Sequence, residues 1–555
     1  MRARSKRYLC IFTLLLCISC SGVERRDPTT AEREAEGALS LGSHTFPIST
    51  DVREAQAAFD RAFTLTLAFS HYAAEKEFRA AAALAPNEPL PWWGVALVNG
   101  PHINYPLVPE EKAKIAWEAL NRARELRANG NQLEQELVDA LSARYQGEST
   151  NDRSKLDLAY AQAMEQVWDR HPTNADVAVL YAEALMDLHP WDYWERDGQP
   201  KAWTPEILTT LERAMELNPK HAGAHHLYIH AVEASSDPSR AVPSADTLRT
   251  LVPGAGHLVH MPAHIYVRVG RWEDAALANE RAVKADQQFR KLYPRSGFTG
   301  LYMIHNQHFL SFVRMMQGQQ EAALTASREM IANIPPDFLV EYGAIADGFM
   351  AMTLEVLTRF GKWNEILREP APAPELPIAN AMWHFARATA YNALDQRKEA
   401  KLERGELLRA MKRVPKEATF GNNNAQTLLK LALHVLDGEM AANDKRFDAA
   451  IRSLQAAVKI EDSLVYDEPP DWIIPVRHTL GVTLLRAGRP QDAEQVYRED
   501  LVRFPNNGWA LVGLSEALKK QGRVAEAALA ATEFEREWQG SDIKTETSCL
   551  CQPSV

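Results

Sequence analysis

Histidines recur at a fixed interval in this 555-residue chain. His226 and His230 are followed 34 residues later by His260 and His264, and His257, His305 and His308 fall beside them. Two imidazoles four residues apart share one helix face and can hold one metal ion, with neighbouring helices completing its shell. Carboxylates join them: Glu233 follows the first pair, and Glu183, with Asp176 and Asp187, lies in the segment before it. Imidazole with carboxylate suits Zn, Cu, Fe or Mn, and the residue types do not choose among these. Seven histidines exceed the needs of one ion, so the pattern allows two sites, or one site with proton-transfer groups. Arg268 is a candidate contact for an anionic ligand. No catalytic signature such as H-E-x-x-H is present, so no residue receives a catalytic role. The remaining histidines have plainer readings. His221 and His225 fall at a turn and a packing position and read as structural. His71, His171, His189, His434 and His478 are isolated, and His102 sits in the loop Gly100–Asn104 with both readings open.

The elements that carry these residues show a second regularity. Gly488 and Gly522 are 34 apart, as are Ala493 and Ala527, and Leu480 and Leu514. Upstream, Ala74, Phe78, Ala81 and Pro86 mark one second helix, and Pro172, Pro219 and Pro253 mark later ends. Gly270-Arg-Trp-Glu-Asp-Ala275 reads as a turn and helix start. This pattern resembles the tetratricopeptide repeat (TPR), a pair of antiparallel helices stacked into a right-handed superhelix. The resemblance runs from about Asp51 to Trp538, and it implies an all-α solenoid. With the turn glycine at repeat position 15, three successive first helices carry seven His among nine places at positions 2, 5 and 9. Random scatter of the 17 histidines would place about 0.3 there. Positions 4, 7, 8 and 11 form the packing stripe. The His stripe lies some 140° away, facing what in TPR proteins is the ligand groove. Pro262, at position 7, interrupts this stripe. Either the helix starts near Met261 or it kinks there, so the geometry is secure only for His264.

A closer resemblance rests on Ala224-His-His-Leu-Tyr-Ile-His-Ala-Val-Glu-Ala234 and Gly254-Ala-Gly-His-Leu-Val-His-Met-Pro-Ala-His-Ile-Tyr266. Pro190-Trp-Asp-Tyr-Trp194 and Glu468-Pro-Pro-Asp-Trp472 share it. Together they are similar to a largely uncharacterised family of exported bacterial TPR proteins, which supports the architecture and implies no activity. The expected organisation is a signal peptide at 1–19, a tether at 20–50 and an N-terminal array with the His-rich groove at 51–368. A Pro-rich linker at 369–377, a C-terminal array at 378–541 and a flexible tail at 542–555 follow. The second array repeats the packing residues without the His stripe, so a chain ending near Pro370 is expected to keep any metal.

The N-terminus reads as an export signal. Arg2, Arg4, Lys6 and Arg7 precede a short apolar run from Tyr8 to Ile18, too short to span a bilayer. Ser19-Cys20 resembles a lipoprotein cleavage site, with Cys20 as the lipidated first residue. It departs from the family's usual Leu three places before the cut, where Cys17 stands. Ser21 after Cys20 favours the outer membrane, facing the periplasm. Composition agrees with a folded protein: 46% hydrophobic, 24% charged, net charge −11. No basic patch outside the first seven residues suits nucleic acid. None of the five Cys lies between Ser21 and Ser548, so the body has neither a disulfide staple nor a thiolate zinc site. Two functions follow: an envelope-anchored protein whose groove binds a transition metal, or a scaffold for a protein or peptide partner.

Overall fold

The structure, a computed structural model, describes residues 39–147, 152–294, 297–334 and 336–551. Cys20 and the signal peptide lie outside these residues. The body, Ser40 to the C-terminus, is one compact unit. Among the described residues it is all-α except for a two-residue hairpin, Thr419–Phe420 paired with Asn423–Asn424. None of the described helices is long and apolar enough to cross a membrane.

The unit is the helical hairpin, and its turn chemistry explains the repeat. Gly270, Gly318, Gly488 and Gly522 all take the left-handed conformation, with φ between 71° and 76°. In each case the next residue's N–H reaches back five residues, as from Arg271 to Tyr266 O at 2.8 Å and from Arg489 to Leu484 O at 2.9 Å. This closes the last carbonyls of the first helix and turns the chain into the second. Small residues on the packing stripe then let the helices touch. A Cβ at Gly481 or Gly513 would collide with the Tyr497 ring, which fills the space between the 476–486, 490–503 and 508–520 helices.

The two arrays touch each other directly. Trp272 Nε1 donates to Pro505 O at 2.9 Å, and Trp509 Nε1 donates to Met315 O at 3.1 Å. The segment after 541, read from sequence as a flexible tail, is hydrogen-bonded to the body, and Thr547, Ser548, Cys549 and Cys551 are buried. Asp542 accepts from the Gln320 and Glu321 amides at 2.7 and 2.9 Å, capping the Gln320–Ala332 helix. Arg359 donates to Ser548 O. Its polar composition misleads because its hydrogen bonds go to the ends and side chains of both arrays.

Candidate metal centre

Three first helices converge on the centre: Ala222–Val232, the pair Gly256–His260 and Pro262–Arg268, and Thr299–Met316. Pro262 does divide its helix, as its missing N–H requires. Met261 nevertheless keeps helical dihedrals, φ −47° and ψ −38°, so the face continues across the break. His257 and His260 therefore point the same way as His264. The face is not an open groove. Six of the seven stripe histidines are buried, His305 alone being partly exposed.

The rings gather in two triads. His226, His230 and His257 each offer a nitrogen within 4.8 Å of the others, and so do His260, His264 and His305. His226 Nε2 lies 3.1 Å from His257 Nε2. His260 Nε2 lies 2.7 Å from His264 Nε2 and 3.0 Å from His305 Nε2. Some of their other nitrogens meet acceptors, while His257 Nδ1 has no hydrogen-bond partner: His226 Nδ1 meets Leu67 O at 2.8 Å, and His230 Nδ1 meets Glu233 Oε1 at 3.0 Å. His264 Nδ1 lies 2.5 Å from Glu233 Oε2. His260 Nδ1 meets Asn279 Oδ1 at 2.8 Å, and that amide is oriented because its Nδ2 donates to Ala275 O.

These partners decide the tautomers. A carbonyl or carboxylate opposite Nδ1 demands an N–H there, which leaves the Nε2 lone pair facing inward. His260 and His264 then present two lone pairs to each other at 2.7 Å, with His305 Nε2 close by. Such a contact requires a cation between the rings. One proton bridges one pair; a metal ion takes all three.

Electrostatics discourages the proton on four of the rings and favours it on His264. Burial, reinforced by neighbouring imidazoles, holds His226, His257, His260 and His305 well below the usual histidine value. Burial also pushes Glu233 upward, but His264 and His230 outweigh it and bring the carboxyl down to about 2. Burial alone would lower His264; Glu233 reverses the sign and raises it. Glu233 is therefore an anion shared between the triads, the orienting arrangement that metal-binding histidines commonly use.

An aromatic shell encloses the rings. Tyr302 stacks on His257 at 4.4 Å, Phe309 packs on His260 and His264 at 5.2 Å, and Trp191 meets His230 edge-on. Phe69 is the informative member. It occupies the left-handed turn position held by Gly270, Gly318, Gly488 and Gly522, and by Asp395 and Lys445, in other hairpins, with φ 53°, and Ser70 makes the same reach back to Leu65 O. A bulky residue is strained there. Its ring lies 4.6 Å from His226 and 4.8 Å from His102.

Other residues singled out in the sequence take different places. His308 belongs to neither triad; three residues beyond His305 on the same helix, it packs on Phe349 at 5.0 Å. Glu183 sits beside Asp187 and Arg144 in another buried pocket. Arg268 is not free for an anion: it donates to Glu233 O and Ser235 O and lies over the Tyr466 ring. His230 and His264 fall in different triads, linked through Glu233. His221 lies outside both triads, in a further group of possible ligands with His44 and Asp176. Its Nδ1 accepts from Ala224 N, so its Nε2–H donates to Asp176, which His44 also meets.

Sequence reasoning missed five contributors. Phe69 is unusual only once its φ is known, and Leu67 acts through its backbone. Asn279 lies on the second helix of His260's own hairpin, 19 residues on, where a search for polar residues facing the stripe would have found it. Tyr466 and Glu468 come from the C-terminal array. The Tyr466 hydroxyl donates to Glu468 Oε1 at 2.7 Å, and both Glu468 and Asp467 help to raise His264. The second array therefore bears on the centre electrostatically, which the expected division of labour had left out.

No protein-family model matches the chain, and no curated protein matches it. Among solved structures, the human IFIT1 dimer with m7Gppp-AAAA is similar at 15% identity and TM-score 0.31, covering 88% of this chain and 91% of that one. Yeast Tom70 is similar at 11% identity and TM-score 0.29, covering 87% and 92%. Scores this low transfer neither activity nor partner.

Proposed function

We propose that this is a metal-binding helical-repeat protein of the cell envelope, holding one transition-metal ion on each histidine triad. The observation that carries the reading is the meeting of three Nε2 atoms at His260, His264 and His305, two of them with Nδ1 committed to acceptors. The donor set is imidazole alone, because Glu233 is occupied in orienting two of the rings. That suits Cu or Zn and disfavours Mn, which prefers oxygen donors. When bound, such an ion supplies a Lewis acid or a redox centre with room for a further ligand. The chain's own residues hold the ring tautomers, exclude water through Phe69, Trp191, Tyr302 and Phe309, and keep one buried anion beside both triads.

The export signal supports an envelope location, with Cys20 as lipid anchor. Cys20→Ala should abolish lipid labelling and membrane association; a variant that still fractionates with membranes would refute the anchor. For the centre, the test is elemental analysis of mature protein purified without chelator. One Cu or Zn per triad is expected. Metal-free protein that added Zn, Cu, Fe or Mn does not stabilise would overturn the reading.

A scaffold function has its own observation. Val502, Val524 and Leu529 are 84, 71 and 67% exposed on the helices 490–503 and 524–537, apolar side chains that a partner could cover. A partner recovered with wild type and lost with Val502→Asp/Leu529→Asp would support it, independently of the metal result.

A further inference from the structure

A second group of ligand atoms lies in the C-terminal array. Cys549, Cys551 and Glu439 place two sulfurs and a carboxylate oxygen within 4.8 Å of one another, all buried. They line a small cavity of about 20 Å³ with Arg359, Thr479 and Trp472. The two cysteines form a disulfide in this structure. Around it the polar groups are badly served. Glu439 is 3% exposed and its Oε2 has no hydrogen-bond partner. Arg359 is equally buried; its Nη1 bonds Ser548 O and its guanidinium lies over the Trp509 ring at 3.5 Å, while its Nε and Nη2 have no hydrogen-bond partner. Thr479 Oγ1 stands 3.6 and 3.9 Å from the two sulfurs.

Stranding a buried carboxyl and most of a guanidinium is costly. A disulfide does nothing for either, because its sulfurs are neutral and weak acceptors. Two thiolates would serve both: they are anions for Arg359, and with Glu439 they make a three-donor set for a cation. We propose that Cys549, Cys551 and Glu439 form a thiolate metal site, separate from the histidine triads, for an ion that prefers sulfur, Zn²⁺ or Cu⁺. The disulfide is the closed state of this site. Opening it takes two electrons and two protons from a dithiol reductant, which becomes a disulfide while the S–S bond becomes two thiols. Binding the ion then releases the thiol protons to solvent.

The test uses full-length mature protein in two states, as purified and after reduction under anaerobic conditions, each equilibrated with buffered Zn²⁺ or Cu⁺. Thiol counting on the denatured protein verifies the reduction. Reduced wild type is expected to hold one more ion per chain than oxidised wild type, and the preferred ion distinguishes Zn²⁺ from Cu⁺. With Co²⁺ as a probe, only the reduced protein should show sulfur-to-cobalt charge-transfer absorption. Cys549→Ser/Cys551→Ser should lose the extra ion and keep the metal of the triads and the helicity. Glu439→Gln, which retains both thiols, should weaken the extra ion about tenfold or more. Reduced wild type with two free thiols and no additional metal would overturn the proposal. So would Glu439→Gln binding as tightly as wild type.

Discussion

His260 and His478 occupy the same place in their repeats, each ten residues before a left-handed glycine, Gly270 and Gly488. Both are fully buried. Their surroundings differ completely. His478 Nε2 meets Asp500 at 2.8 Å, and Asp500 also accepts from Asn507, so this ring is one half of an ordinary buried hydrogen-bonded pair. His260 gives its Nδ1 to Asn279 and turns Nε2 toward two more imidazoles. A histidine at this register is therefore a packing solution that the fold tolerates in either array. It becomes a candidate ligand only where adjacent hairpins bring nitrogen rather than carboxylate to its inner face.

The sharpest way to break this comparison is to remove both rings separately. His260→Ala should abolish metal at its triad while the other triad keeps its ion, read by elemental analysis. His478→Ala should change no metal at all and lower stability by about 3 kcal/mol, because Asp500 is left as a buried charge short of its main partner. Metal loss in the second variant would erase the distinction.

Glu233→Gln comes next. It leaves all six triad rings in place but removes the anion that orients His230 and His264, so affinity should fall about 10- to 100-fold, at both triads together. Titration with a competing chelator would show it. A loss confined to one triad would mean the shared carboxylate serves only that one.

Acid should then expose the buried rings. In the metal-free protein, His226, His257, His260 and His305 stay uncharged well below their ordinary value of 6.5. Below that pH the unfolded chain binds protons that the folded chain does not, so stability is full above about pH 6.5 and falls on acidification. His264 runs the other way: its raised value adds stability below about 6.5 that is lost as pH rises through the folded value. Among these five rings four act against one, so together they favour the folded state less as pH falls. Melting temperature from pH 8 to 5 should drop less steeply in His226→Gln/His260→Gln, and bound metal should enlarge the drop.

The smallest expected effect tests the packing stripe. The Tyr266 hydroxyl donates to Asp246 at 2.7 Å on the opposite side of the helix from the centre. Tyr266→Phe should cost about 1 kcal/mol and leave metal content untouched.

Much of the architecture was legible in the chain alone. The 34-residue interval, the turn glycines and the small residues at packing positions act locally, within one hairpin or between neighbours, so they leave a periodic trace. The histidine stripe was legible for the same reason, since its register sets which face each ring takes. Tertiary structure decided the rest. It split seven histidines into two triads and a packing residue, because ring placement depends on how far each hairpin rotates on the next. It set Phe69 in a glycine's conformation against the rings and brought Tyr466 and Glu468 from beyond the linker. It also buried a polar tail around Cys549 and Cys551. Each of these depends on contacts between segments distant in sequence, and one chain read by itself carries no periodic record of them.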